Sequence, residues 1–98
     1  MKFKTVIGNV NLTKATKLHI IQRHPIMEDY FGHLKEILES PQEIRYSSRS
    51  DEVLLFYRYF DKIERGKYVA VVVNKLKKSV LTTYLTHRIK LGRKYEKE

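Results

Sequence analysis

Cysteine is absent from this 98-residue chain, which excludes disulfide bonds and thiolate metal sites and suits a cytoplasmic protein. Four histidines remain as ligand candidates, but His19, His24, His33 and His87 include no HxxxH pair, so the usual helical zinc spacing is missing. The expectation is a protein that holds no metal and no cofactor. Long apolar runs are missing too: no stretch could cross a bilayer, and Met1-Lys2-Phe3-Lys4 leads into alternating residues rather than an apolar signal core. No membrane partner is expected. There is no glycine-rich phosphate loop, nucleophile elbow, EF-hand loop or paired-carboxylate spacing, which leaves ATPase, esterase and glycosidase chemistry without support. Acidic residues are also scarce. The 11 Asp and Glu face 20 Lys and Arg, a formal charge of +9, and such a surface attracts phosphate backbones.

The length allows one small domain with a single core. Met1 to Val6 alternates as a short edge strand does, Gly8 and Asn9 turn the chain, and Thr13 or Thr16 offers an N-cap for a helix over Lys17 to His24. From Pro25 the apolar positions Met27, Tyr30, Phe31, Leu34, Ile37 and Leu38 recur at steps of three and four, which predicts an amphipathic helix stopped by Ser40-Pro41. Beyond it the period becomes two. Runs 42–47, 52–60, 67–74 and 79–86 read as strands, with connections too short for crossover helices, so antiparallel hairpins are expected. The fold class expected is α+β, with N-terminal helices packed on a four-stranded antiparallel sheet. Tyr68 to Val73 reads as a central strand covered on both faces. If Leu81 and Leu85 turn toward the helices, Thr82, Tyr84 and Thr86 share the other face with Tyr57 and Tyr59. Such a surface suits stacked bases and phosphate oxygens, although tyrosine and threonine are also simply good strand formers. The domain is expected to span residues 1–92, with 93–98 a basic, solvated tail.

The stretch Lys17-Leu18-His19-Ile20-Ile21-Gln22-Arg23-His24-Pro25 carries the chemistry. It sets two imidazoles beside a fixed cation, and imidazoles permit proton transfer near neutral pH. His19 and Arg23 are four apart and share a helix face, whereas His24 lies about 140° round the axis from His19, so one small site needs a break between them. Pro25 supplies it, biasing His24 away from α geometry and toward a helix–helix corner. The plainer alternative is a His19 partly buried beside Leu18 and Ile21 and merely hydrogen-bonded.

The order of a HIxxRHP helix (His19, Ile20, Arg23, His24, Pro25), an amphipathic helix ending near SPQEI (Ser40 to Ile44), a YVAVVV strand (Tyr68 to Val73) and a closing LTTYLTHRIKLG segment (Leu81 to Gly92) resembles the phage and polymorphic-toxin branch of the barnase, EndoU, colicin and RelE ribonuclease superfamily. The likeness spans residues 17 to 92. It implies N-terminal helices on a four-stranded antiparallel sheet and metal-free cleavage of RNA. By position it implies active roles for His19, Arg23 and His24, for the strand hydroxyl of Thr83 or its neighbour Thr82, for Tyr84, and for Arg58 in the second strand. The chain departs from relatives that have a clear carboxylate base. Glu52 and Glu64 fall in or beside loops, which leaves the base to a histidine.

The expected activity is that of a toxin-like endoribonuclease. A base takes the ribose 2′-OH proton, the oxygen attacks phosphorus, cations hold the non-bridging oxygens and an acid protonates the leaving 5′-oxygen, giving a 2′,3′-cyclic phosphate. His19 is the first choice for base or acid, and Arg23 and Arg58 for the phosphate clamp, because the planar guanidinium can bind two oxygens at once. Tyr57, Lys75, Lys77, Lys78, Arg88 and Lys90 are the expected nucleic-acid contacts, with RNA as the partner. Two alternatives stand beside this. One is a non-catalytic RNA- or DNA-binding module. The other is a toxin fold used for protein pairing, its basic face covered by an acidic antitoxin or immunity protein.

Overall fold

The computed structural model describes residues 1–90 and 92–96. Leu91, Lys97 and Glu98, which belong to the closing and tail segments read above, lie outside the described residues. The elements run β1 (Lys2–Thr5), β2 (Gly8–Asn11), α1 (Lys14–Arg23), a 3-10 segment (Pro25–His33), α2 (Leu34–Glu39), β3 (Glu43–Ser47), β4 (Ser50–Phe60), β5 (Lys67–Asn74) and β6 (Ser79–Thr86).

The expected architecture of N-terminal helices on a four-stranded antiparallel sheet is wrong. Among the described residues the sheet has six strands in the order β1-β2-β6-β5-β4-β3, and it is mixed, because β2 runs parallel to β6. The helical part is two short α-helices and the 3-10 segment between them. Two physical causes account for the difference. Gly8-Asn9-Val10-Asn11 has little strand propensity of its own. It becomes a strand through four register pairs with β1 and the single pair Asn11 with Ser79. The long helix expected from Pro25 carries Gly32 in what would be its interior, where glycine is disfavoured, and the chain winds instead as 3-10 turns until Leu34. The apolar spacing still serves its purpose, for Met27, Phe31, Leu34, Ile37 and Leu38 are all buried.

α1 begins where threonine can cap it. Thr13 is extended, and its hydroxyl accepts from the Thr16 N–H at 3.1 Å. The helix ends at Arg23, and His24 leaves it with φ −135° and ψ 73°. Pro25 imposes that exit.

The sheet sorts its residues by parity. Leu54 and Phe56 of β4 and Val69, Val71 and Val73 of β5 point to the helices and join Ile20, Leu34 and Leu38 in the main core. β6 does not keep the simple alternation. Val72 pairs with Thr82 but Val73 pairs with Val80, so Leu81 is the extra residue of a β-bulge. Val80 therefore turns inward and Leu81 stays 41% exposed, the reverse of the expected facing, while Leu85 does pack on the core.

The opposite face of the sheet carries a smaller cluster of Leu55, Tyr57 and Ala70, which Ile89 covers. After β6 the chain thus crosses this face as a strap. The Lys90 N–H donates to the Tyr57 hydroxyl at 3.3 Å, and Arg45 donates to the Gly92 carbonyl at 2.7 Å. Residues 93–95 then pair with the outer edge of β3: the Tyr46 N–H donates to the Arg93 carbonyl at 2.8 Å and the Tyr95 N–H to the Ile44 carbonyl at 2.9 Å. Gly92 permits this approach, since a Cβ there would stand 2.5 Å from the Tyr46 carbonyl oxygen. The tail read as solvated is docked over these residues.

Leu34 is fully buried between the helices and the sheet. Leu34→Ala should destabilise the protein by about 2–5 kcal/mol, a large share of the stability of so small a domain. Thermal or urea unfolding checks this, and an unchanged transition would mean that the residue does not anchor the core. Truncation after Gly92 should leave a folded protein whose melting temperature is lowered, because two main-chain hydrogen bonds, each worth about 1 kcal/mol, leave with Arg93 to Tyr95.

Candidate nucleic-acid interface

The helix end and the open face of the sheet meet at β6. His19 and Arg23 of α1 line one cavity of about 260 Å³ together with His24, Leu81 and Thr82. The break at Pro25 turns His24 toward the strap side, where its ring centroid lies 6.1 Å from that of Tyr84. His19 and Arg23 are exposed and His24 is half-buried, so His19 is not the core histidine of the plainer reading.

Tyr84 faces the same side as Ala70 and Val72 and forms the boundary of a second, larger cavity of about 380 Å³. Its floor is Val53, Leu55 and Val72; Tyr57, Tyr84 and Lys90 line it, as do Arg45 and the hairpin residues Ser47 to Arg49. Among the described residues no carboxylate lines this cavity. The Lys90 ammonium lies 5.4 Å from the centre of the Tyr84 ring, within cation–π range. Arg45 is held in place by Glu43 at 2.5 Å, which largely balances its charge, and by the Gly92 carbonyl. Burial raises the pKa of the Tyr84 phenol above its ordinary value, an effect that the neighbouring Tyr57 hydroxyl partly offsets. Burial also raises that of Tyr57, against the lowering effect of the Lys90 N–H. Both phenols are therefore neutral at physiological pH, and Tyr84 at the cavity boundary can donate a hydrogen bond.

The residues expected from sequence fall into two groups. His19, Arg23, His24 and Tyr84 converge on the β6 corner, with Thr82 beside them and Lys90 over Tyr84. Thr83 and Arg58 do not. Thr83 is buried on the helix side, and its hydroxyl donates to the Ala70 carbonyl at 2.8 Å. Thr82 is thus the hydroxyl at the corner. Arg58 also lies on the helix side, two strands from β6, paired with Glu36 at 3.1 Å and donating to the Ser40 carbonyl at 2.7 Å. Tyr57 is on the open face but lies under the strap, fully covered. Lys77 and Lys78 project from the β5–β6 turn; Lys75 at its start stands 5.2 Å over the Tyr46 ring, and Arg88 is exposed where the strap begins. Arg45 and Arg49 were not singled out from the sequence. The signal for Arg45 was its alternation with Ile44 and Tyr46, but only the pairing of Arg45 with Leu55 places it on the open face.

Among the described residues no three His, Asp or Glu side chains stand close enough to hold a metal ion, and no helix is long and apolar enough to cross a membrane. No curated protein and no solved structure matches the chain. A profile of one family does match, over residues 2–96, which takes in the β1–β2 hairpin, the His19–Pro25 corner, every strand of the sheet and the docked strap. By that match the chain belongs to the phage-Barnase-EndoU-ColicinE5/D-RelE like nuclease2 family.

Proposed function

We propose that this nuclease-family protein is a toxin-like endoribonuclease that cuts RNA by 2′-OH transesterification and without a metal ion. The observation that carries the reading is the corner itself: His19, Arg23 and His24 line one cavity, and His24 stands beside the neutral phenol of Tyr84. A cyclising cleavage needs a group to take the 2′-OH proton, a group to protonate the leaving 5′-oxygen, and a cation for the non-bridging oxygens. His19 and His24 supply the two proton-transfer groups, and their placement on either side of the helix end lets them approach a phosphate from different directions. Arg23 is the phosphate clamp. Tyr84 donates a hydrogen bond, and the Thr82 hydroxyl lies alongside. The Lys and Arg of the β5–β6 turn and strap add the attraction to polyanions that counterion release provides. The metal-free reading is supported by the lining of the corner, where among the described residues the two imidazoles have a guanidinium beside them and no third His, Asp or Glu close enough to complete a metal site. An acidic antitoxin or immunity protein would find its complement in the same basic surface.

Purified protein should cleave RNA and not DNA, with unchanged rate in the presence of chelator. His24→Ala and His19→Ala should each lower the rate by about 10²- to 10⁴-fold while RNA binding is retained, since loss of an imidazole removes a proton-transfer step while Arg23 and the surface Lys and Arg keep their attraction to phosphate. Arg23→Ala should impair both. Gel assays of cleavage and filter binding decide the matter. Equal cutting of DNA, a need for added divalent metal, or full activity in the His19→Ala/His24→Ala double variant would refute the mechanism. RNA binding without any cleavage would favour a binding module.

A further inference from the structure

The two edges of the sheet are finished differently. On the β3 side, residues 93–95 pair with the outer edge. On the other side β1 pairs with β2 alone, and among the described residues no main-chain group bonds to its outer side. We propose that β1 is a docking edge for a partner protein, which adds an extended acidic segment to the sheet as a further strand.

The register shows what the edge offers. Met1 and Leu12 exchange both main-chain hydrogen bonds, at 2.9 and 2.8 Å, and the pairs of an antiparallel ladder alternate between bonded and non-bonded. Phe3 with Val10 and Thr5 with Gly8 are therefore the next bonded pairs. Lys2 and Lys4 fall between them, opposite Asn11 and Asn9, and their N–H and C=O groups point outward. Asn11 fits this pattern, for its N–H turns away from β1 and donates to the Lys78 carbonyl at 2.9 Å. A strand lying along β1 can bond to donor and acceptor of both lysines.

There is room for such a strand. α2 packs against β1, yet a cavity of about 440 Å³ opens between Lys2, Phe3, Lys4 and Asn9 of the hairpin and Lys35 and Glu39 of the helix.

Charge selects the occupant. Lys2 and Lys4 are two apart, so their side chains stand on one face of the strand, and Lys35 adds a third exposed cation against the one carboxylate in the lining, Glu39. Carboxylates at alternate positions of an incoming strand would lie directly opposite the two lysines, a favourable cross-strand arrangement. A second copy of the chain meets the reverse. Two β1 strands paired antiparallel about Phe3 would set Lys2 of each against Lys4 of the other, like charge against like. A nucleic acid also fits less well, since phosphates accept hydrogen bonds but give none to the outward carbonyls, and Glu39 repels them. β2 separates this edge from β6 and the histidine corner, and nothing in the inference depends on the ribonuclease reading.

The test is an NMR titration of the isotope-labelled protein with a short synthetic peptide of alternating glutamate and valine, at up to millimolar concentration. A peptide with lysine in place of glutamate and a single-stranded oligonucleotide are titrated in parallel. The acidic peptide should bind saturably, shift the amides of Lys2 and Lys4, slow their exchange with solvent, and leave the amides of His19 to His24 in place. Lys2→Glu/Lys4→Glu should weaken binding about tenfold or more, because two exposed ion pairs become repulsive. Lys4→Pro should weaken it by a different route, removing an outward N–H while the bonded pairs of the hairpin stay, and proline is tolerated on edge strands. The charge reversal decides the matter if Lys4→Pro lowers the melting temperature. Undisturbed Lys2 and Lys4 amides, equal affinity for the lysine peptide, or binding indifferent to charge reversal would overturn the proposal. So would an oligonucleotide that shifts these amides where the acidic peptide does not, or a concentration-dependent dimer that protects them.

Discussion

A helix cannot run through Pro25. The proline has no N–H to donate, its ring crowds the preceding turn, and the residue before it is driven out of α geometry. α1 therefore ends at Arg23, and His24 swings away from the helix axis to meet Tyr84 at the far side of β6. Without that break, His24 would sit about 140° round the helix from His19 and the two could not share a site. The candidate chemistry depends on this one conformational restriction, and the sheet serves to hold its other half in place.

The sheet does so by keeping two unlike faces. One is filled by the helices and by the buried residues of β4 and β5, and it also takes Thr83 and Arg58, whose polar atoms are satisfied there by the Ala70 carbonyl and by Glu36 and Ser40. The other is only partly covered. The strap lies across it, burying Tyr57 beneath Ile89 and Lys90 and leaving a cation-lined hollow between itself and the β3–β4 hairpin. Because that hollow borders Tyr84, the chain from β6 to β3 connects the histidine corner to the rest of the open face.

Much of this was legible in the residues and some of it was not. The four later strands show in their period of two, and the Pro25 corner shows in the proline rule, since both are local effects. The β1–β2 hairpin was only half visible: Lys2 to Thr5 alternates, but Gly8 to Asn11 becomes a strand through its partners. The facing of Leu81 was unreadable because a bulge is decided between strands, at Val72 and Val73, and not within β6. The same limit explains the candidate site. His19, Arg23 and His24 are neighbours in sequence and were found together. Thr83 and Arg58 were assigned by position in a family pattern, whereas the pleat turns both to the helix side. Arg45 and Arg49 were missed since their membership of the open face depends on pairing with β4, and the docking of Arg93 to Tyr95 follows from hydrogen bonds to β3 that no tail composition announces.

The central claim is that the corner carries out attack by the substrate's own 2′-hydroxyl, and the chemical identity of the new 3′ end reports on this directly. Mass spectrometry of the fragments from a short, defined single-stranded oligoribonucleotide, taken early in the reaction, should find 2′,3′-cyclic phosphate on the upstream fragment and a free 5′-hydroxyl on the downstream one. A 3′-hydroxyl paired with a 5′-phosphate would mean that water attacks phosphorus, and it would contradict the account.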